Sequence, residues 1–241
     1  MKAFPEINTA LIVIPGKFVG VATEESLNAG IPLVNILSER VPMRDVAHMI
    51  AVARAKGATI IGPSSVGVIT PGKVKLGSIG SGGLAARVFA PGNVGVISKS
   101  GGMTSEISRI LTEAGIGQST ALGIGGDPLI GADFLDIALL FEKDQETNAI
   151  VIFGEVGGIY ENQLAQAIKD KKVSKPVVAL IAGVFAETLP SGTLLGHAGA
   201  IVEGERNKAS VKIKELRAAG AYVAETPEEI VVILRKLVGS K

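Results

Sequence analysis

The sequence predicts an α/β protein made of two doubly wound parallel-sheet domains, residues 1–90 and 91–241. Three observations carry this expectation. Short apolar runs rich in Val, Ile and Ala recur along the chain, and each stops at glycine or proline. Segments with helical periodicity lie between them, a βαβ spacing that implies parallel strands joined by crossovers. Glycine is frequent, 31 of 241 residues, as tight βα turns require, while aromatic residues are only 4%.

In order, residues 9–14 form an apolar run that ends at Pro15-Gly16, a strand with its functional edge at Pro15. Residues 23–29 suit a short helix stopped by Gly30, and 32–37 a second strand that ends at Ser38-Glu39. Residues 43–56 are a clearer helix, with Val46, Met49, Ile50 and Ala53 on one face and Gly57 as its stop. Residues 59–61 are a strand leading into Gly62-Pro63. From 64 to 92, glycines at 67, 72, 77, 80, 82, 83 and 92 and prolines at 71 and 91 leave no helical pattern. That stretch is expected to be an extended interdomain connection, with the boundary near residue 90.

The second half opens with a strand at 93–98, the turn Ser98-Lys99-Ser100-Gly101-Gly102, and a helix with Met103, Ile107, Ile110, Leu111 and Ala114 on one face. A strand at 119–124 enters Gly125-Gly126-Asp127-Pro128, and a helix follows over 133–142. A strand at 149–153 enters Gly154-Glu155-Val156-Gly157-Gly158, and a helix runs over 160–171. After the strand at 177–181 more than twenty residues lack periodicity, and a loop of that length inside a domain is usually functional or disordered. A helix over 206–219, a strand over 221–224 and a last helix complete the chain. Thr226-Pro227-Glu228-Glu229 reads as a capping box with proline at the first helical position.

Net charge is +1 with 47% hydrophobic and 20% charged residues, so a soluble globular protein is expected, with neither nucleic acid nor a membrane as main partner. Cysteine is absent, which removes disulfides and thiolate chemistry and is compatible with a reducing cytoplasm. No apolar run is long enough to predict a membrane span, and the N-terminus lacks the pattern of a signal peptide.

Ligands of an open parallel sheet sit at the carboxyl edge of its strands, so four loops are expected to converge there: 98–102, 125–128, 154–158 and the loop holding His197. The chain has two histidines, and His197 lies between glycines in Gly196-His197-Ala198-Gly199-Ala200. It is either a nucleophile that a phosphate can approach closely or a bystander in a glycine turn; spacing alone leaves both open. Glu155 can fix the tautomer of an imidazole, or it can be a solvated loop acid. Ser98, Lys99, Ser100, Gly101 and Gly102 offer N–H groups, hydroxyls and a cation at a helix start, which suits a phosphate but equally makes an ordinary βα turn. Asp127 reads as a turn cap and His48 as a surface residue. No histidine-carboxylate cluster has metal-ligand spacing, and neither a Walker loop nor a Gly-x-Ser-x-Gly elbow is present.

Five motifs together carry a resemblance. Gly62-Pro63-Ser64-Ser65-Val66-Gly67-Val68-Ile69-Thr70-Pro71-Gly72, Ser98-Lys99-Ser100-Gly101-Gly102, Gly123-Ile124-Gly125-Gly126-Asp127, Gly154-Glu155-Val156-Gly157-Gly158 and Gly196-His197-Ala198-Gly199-Ala200 occur in the order and spacing of succinyl-CoA synthetase α subunits. The chain resembles this family from about residue 9 to its C-terminus, within the superfamily of acyl-CoA synthetases and ATP-citrate lyase.

The resemblance implies a truncated Rossmann-like CoA-binding domain over 1–90 and a flavodoxin-like ligase domain over 91–241. It implies a succinate–CoA ligase α subunit that works through phosphorylated His197, supported by Glu155. Ser98, Lys99, Ser100, Gly101, Gly102 and Ser105 are then expected at phosphate or substrate, and Ile14, Pro15, Leu37, Ser38, Glu39 and Ser64 at coenzyme A. An ATP-grasp β subunit would bind ATP or GTP with Mg2+ in a cytoplasmic hetero-oligomer. Three departures bear on the substrate. Ser64-Ser65-Val66 stands where the family has Asn-Cys-Pro, Ser105 where it has tyrosine, and the family's N-terminal glycine-rich CoA turn has no counterpart. Gly101-Gly102-Met103 and the stretch 185–195 are more like ATP-citrate lyase. The alternatives are the citrate-activating part of an ATP-citrate lyase or citryl-CoA synthetase, and a non-catalytic CoA- or nucleotide-binding module.

Overall fold

The computed structural model describes residues 4–80, 83, 85–190, 193, 195–201 and 204–238. Its first part is β1 (Thr9–Ile12), α1 (Gly16–Asn28), β2 (Leu33–Ile36), α2 (Met43–Ala55) and β3 (Thr59–Ile61). The three strands are parallel in the order β1-β2-β3. Ile12, Val34, Ile36 and Ile60 meet Val19 and Leu27 of α1 and Val46, Met49 and Ala53 of α2 in one core. The helix expected over 23–29 instead starts at Gly16. Val19, Thr23 and Leu27 form its buried stripe at four-residue spacing. Gly16 and Gly20 lower its helix propensity, which hid its first turns. Gly16 is needed for close approach, since a Cβ there would lie 2.6 Å from the Arg40 carbonyl.

The segment 64–92 is not an extended connection. It contains β4 (Gly67–Thr70), β5 (Val74–Gly77) and the short α3 (Ala85–Val88), and β4 pairs antiparallel with a strand of the second sheet. The change of sheet therefore falls between Ile61 and Gly67, with two strands of the second sheet preceding residue 90. Glycines at both ends of the hairpin disguised it. Gly67 and Gly77 both have positive φ, and their backbones approach so closely that a Cβ on Gly67 would lie 2.0 Å from the Leu76 carbonyl oxygen.

The remainder is β6 (Pro91–Ser98), α4 (Gly101–Glu113), β7 (Gln118–Gly123), α5 (Phe134–Lys143), β8 (Ala149–Glu155), α6 (Tyr160–Lys169), β9 (Val177–Ala182), α7 (Ala209–Ala219), β10 (Tyr222–Ala224) and α8 (Pro227–Val238). Seven strands lie in the order β10-β9-β8-β6-β7-β4-β5, with β6 to β10 parallel. Strand alternation feeds two cores. Ile97, Ile150, Ile152, Ala179 and Ile181 face α5, α6 and α7. Val94, Val96, Val151, Phe153, Val178 and Leu180 face α4 and α8. Helices thus cover both faces, and the strand order reverses between β6 and β8, where a ligand crevice forms in such sheets.

Ser65 ties the two sheets together. Its hydroxyl accepts from Asn35 Nδ2 at 2.9 Å and donates to the Gly123 carbonyl at 2.6 Å, linking β2 to the end of β7. The carboxyl edges of both sheets are thereby brought beside one another.

Candidate functional site

Glu155 ends β8 beside the crevice, buried with its side chain 10% exposed. His197 arrives from the loop after β9. The Gly199 N–H donates to the Gly126 carbonyl at 2.9 Å, and the Ala200 N–H to the His197 carbonyl at 3.1 Å, fixing a tight turn. Gly157, with φ +88°, admits this turn: a Cβ there would lie 2.1 Å from the Gly199 carbonyl oxygen. Gly126 admits the ring itself, because a Cβ on it would lie 2.6 Å from His197 Cγ. These small residues let the imidazole reach Glu155, and Nδ1 meets Oε2 at 2.7 Å.

The electrostatics follow from this pair. The hydrogen bond to Glu155 raises the His197 pKa above its ordinary value; partial burial and the Lys99 charge oppose the rise, and the Glu155 and Asp127 charges add to it. With Nδ1–H donating to the Glu155 carboxylate, Nε2 is the nitrogen left for chemistry, while the side chain keeps 34% of its surface.

The turn after β6 behaves differently from its expected role in part. The Ser98 hydroxyl accepts from Ser100 N at 3.0 Å and donates to the Ser100 carbonyl at 2.7 Å, so it shapes the turn. The Ser100 hydroxyl caps α4 by accepting from Met103 N at 3.3 Å. Lys99 is turned inward, 3.2 Å from Glu161 Oε1 and with both side chains almost unexposed. Gly101 and Gly102 are the first residues of α4, where N–H groups have no intrahelical acceptor, and both line a cavity of about 690 Å³. Gly101 is obligatory there, since its Cβ would lie 2.0 Å from Val66 Cγ1. Ser105, one turn into α4, does not line this cavity.

The same cavity holds His197, Lys99 and Asp127 on one side and Glu39, Arg40 and Ser64 on the other, so it spans the edges of both sheets. Ser64, at φ +59°, donates from Oγ to Asp127 Oδ1 at 2.8 Å. Asp127, expected as a turn cap, thus bridges the two parts. Ile14 and Ser38 are brought together: the Ser38 hydroxyl accepts from Ile14 N at 3.0 Å and donates to the Ile14 carbonyl at 2.5 Å, with Pro15 and Leu37 next to them in the chain. His48 is exposed, 3.4 Å from Glu24, as its place off the apolar face predicted. Among the described residues no group of three or more His, Asp or Glu side chains is arranged to hold a metal ion, and no helix is long and apolar enough to cross a membrane. Of the long loop, residues 191, 192, 194, 202 and 203 lie outside the described residues, and so does part of the stretch 185–195.

Two charged neighbours of Glu155 escaped the sequence reading. Glu161 and Lys212 are without solvent exposure and form an ion pair at 2.5 Å directly behind Glu155. Burial alone would raise Glu161, yet the Lys99 and Lys212 ammonium groups hold its pKa below the ordinary value; burial lowers Lys212. Their signal was a charge on the buried stripe of each helix, Glu161 with Leu164 and Ala165, and Lys212 with Ala209 and Leu216.

Comparison with known proteins gives a consistent picture. Residues 97–222 match the profile of the CoA-ligase family. The chain is 43% identical over 232 residues to "Succinate--CoA ligase [ADP-forming] subunit alpha 2" of Archaeoglobus fulgidus, covering 96% of this chain and 77% of that one. It is 36% identical to an ADP-forming sulfoacetate-CoA ligase subunit of Bilophila wadsworthia, again over 96% of this chain and 78% of that one. Among solved structures, an ATP citrate lyase from Methanothrix soehngenii in complex with citrate and coenzyme A superposes with a TM-score of 0.94 at 32% identity. That match takes in 100% of this chain, which spans 41% of the lyase chain.

Proposed function

Because the chain belongs to the CoA-ligase family, within its succinate–CoA ligase α subunits, we propose that it is the α subunit of an acid–thiol ligase acting through a phosphohistidine on His197. The observation that carries this reading is the 2.7 Å contact of His197 Nδ1 with buried Glu155, which leaves Nε2 free at a cavity that Gly101 and Gly102, the first residues of α4, also line. Nε2 takes the terminal phosphoryl group of a nucleoside triphosphate, and the nucleoside diphosphate leaves. A carboxylate oxygen of the acid then attacks that phosphorus, breaking the N–P bond and forming an acyl phosphate. The sulfur of coenzyme A attacks the acyl carbon, and phosphate leaves with the thiol proton.

Each step asks something different of this chain. Glu155 keeps the proton on Nδ1 and offsets the positive charge that develops on the ring as Nε2 attacks. The N–H groups of Gly101 and Gly102, at the positive end of α4, suit the phosphoryl oxygens. Lys99 adds positive potential from behind rather than a direct contact. Ile14, Pro15, Leu37, Ser38 and Glu39 form the edge proposed for coenzyme A, with Ser64 between that edge and His197. An ATP-grasp β subunit is the proposed source of the nucleotide and Mg2+ site.

Succinate is the acid we favour, in line with the relatives' names. A second reading, citrate, is favoured by the lyase structure that superposes on the whole chain. The test is acyl-CoA formation by the chain with a β partner, given succinate, citrate or sulfoacetate. A kcat/KM for succinate well above the other two supports the first reading, and a citrate preference supports the second. Turnover of none of them with any family β subunit contradicts ligase function.

A further inference from the structure

Glu155 steers His197, but the last residue of a strand is held on one side only. Pairing between β6 and β8 stops at Ser98 with Phe153, and the last bond across it runs from Lys99 N to the Phe153 carbonyl. Val156 N turns to the other neighbour, donating to the Ala182 carbonyl in β9. The N–H and C=O of Glu155 therefore point where β6 has ended. Charged side chains occupy that place. The Glu155 N–H donates to Glu161 Oε1 at 3.1 Å, and Lys212 Nζ donates to the Glu155 carbonyl at 2.7 Å. Lys212 also donates to the Gly157 carbonyl, and Lys99 Nζ reaches that carbonyl at 3.5 Å.

A salt bridge this deep is a costly way to fill a core, and apolar side chains of the same volume would serve packing as well. Its geometry has a direction, however. Outside their own helices, the backbone contacts of the Glu161 and Lys212 side chains end on Glu155 or Gly157, the residues against which the His197 turn is seated. The formal charges of Glu155, Glu161, Lys99 and Lys212 also balance, two against two. We propose that Glu161 and Lys212 are positioning residues for phosphoryl transfer: they replace the missing strand beside Glu155 and so keep its carboxylate on His197 Nδ1. This rests on His197 being the phosphoryl carrier.

The test reads the tautomer of His197 directly. The full chain, labelled with 15N-histidine, gives two imidazoles, and exposed His48 serves as internal reference. The charged groups around His197 are Glu155, Lys99 and Asp127, with Glu39 and Arg40 across the cavity. Spectra are compared above the His197 pKa, where the neutral ring reports which nitrogen holds the proton. In the parent the proton is expected on Nδ1. In Glu161→Gln and in Lys212→Met it shifts to Nε2, while His48 is unchanged. With the β partner, kcat falls about 10- to 100-fold and KM for nucleotide stays constant, the scale seen when a group that orients a reacting side chain is lost.

Should Glu161→Gln fail to fold, E161Q/K212M removes the unbalanced lysine and carries the same readouts. It restores charge balance but not the bond to the Glu155 carbonyl, so positioning predicts that kcat stays low. Retention of the Nδ1 proton in the folded variants, or recovery of kcat in the double variant, overturns the proposal. If the parent itself never carries phosphate on His197, the ligase reading fails while the tautomer measurement still decides the positioning role.

Discussion

Replacing Gly126 by alanine perturbs the site through a single methyl group. The new Cβ would lie 2.6 Å from His197 Cγ, 2.8 Å from Cδ2 and 2.9 Å from Nδ1. Carbon atoms in contact settle near 3.5 Å or beyond, so the ring must withdraw by about 1 Å. It can do so, because it is one-third exposed and faces a cavity. A withdrawal of that size breaks the 2.7 Å bond to Glu155, whose backbone N–H and C=O are fixed by Glu161 and Lys212 so that the residue as a whole does not follow the ring. Misplacing a reacting group by 1 Å costs about 100-fold in rate, and that is the loss expected for phosphorylation of His197. Gly126 does not sit in the left-handed region, so alanine adds no backbone strain, and the stability lost is that of the broken His197–Glu155 attraction. The assay is rapid-quench phosphorylation of the α–β complex with labelled nucleotide. A Gly126→Ala enzyme that phosphorylates within a few-fold of the parent refutes the contact between ring position and rate.

Glu155→Gln keeps the shape but removes the charge, and about 10²- to 10³-fold loss of kcat is expected, as when a charge-stabilising group is removed from an active site. The raised His197 pKa makes the parent's phosphorylation rate climb with pH through a value above the ordinary histidine one, as imidazolium yields to the nucleophile; in E155Q this limb moves to lower pH, and pH–rate profiles check it. The sign for stability is the reverse. The His197–Glu155 attraction is fully present below the unfolded histidine pKa and is lost as pH rises through the higher folded value, so the Tm gap between parent and E155Q narrows on alkalinisation. Ser65→Ala leaves the Gly67 N–H and Asn35 Nδ2 without the hydroxyl that each now meets at 2.9 Å, which should cost about 1–3 kcal/mol in urea unfolding. No loss of stability in that variant would show that the junction between the sheets does not depend on the Ser65 bridge.

Much of the fold is legible because buried parallel strands read as apolar runs and their turns as glycine. β2, β3, β6, β8 and β9 lie within a residue or two of where the runs place them. The β4–β5 hairpin was hidden for the same reason: its glycines serve close strand approach, and in sequence they look like a linker. At the site, the motif loops single out Glu155 and His197 as candidates, but spacing alone leaves a solvated acid and a bystander histidine equally open, and the 2.7 Å contact is what pairs them. The roles of Ser98, Ser100 and Lys99 were not legible, because a hydroxyl that shapes a turn and one that binds phosphate have the same sequence context. Glu161 and Lys212 were not legible because charged residues within a helix ordinarily face solvent. Each lies on its helix's apolar stripe, and that misplacement was the available clue.

The most direct measurement is the covalent state of His197 after brief incubation of the chain and its β partner with nucleoside triphosphate. Intact mass and peptide mapping are predicted to find one acid-labile phosphoryl group, on the peptide containing His197, discharged on addition of the acid and coenzyme A and absent from His197→Ala. Phosphate on another residue, or a label that survives in that variant, would contradict the account.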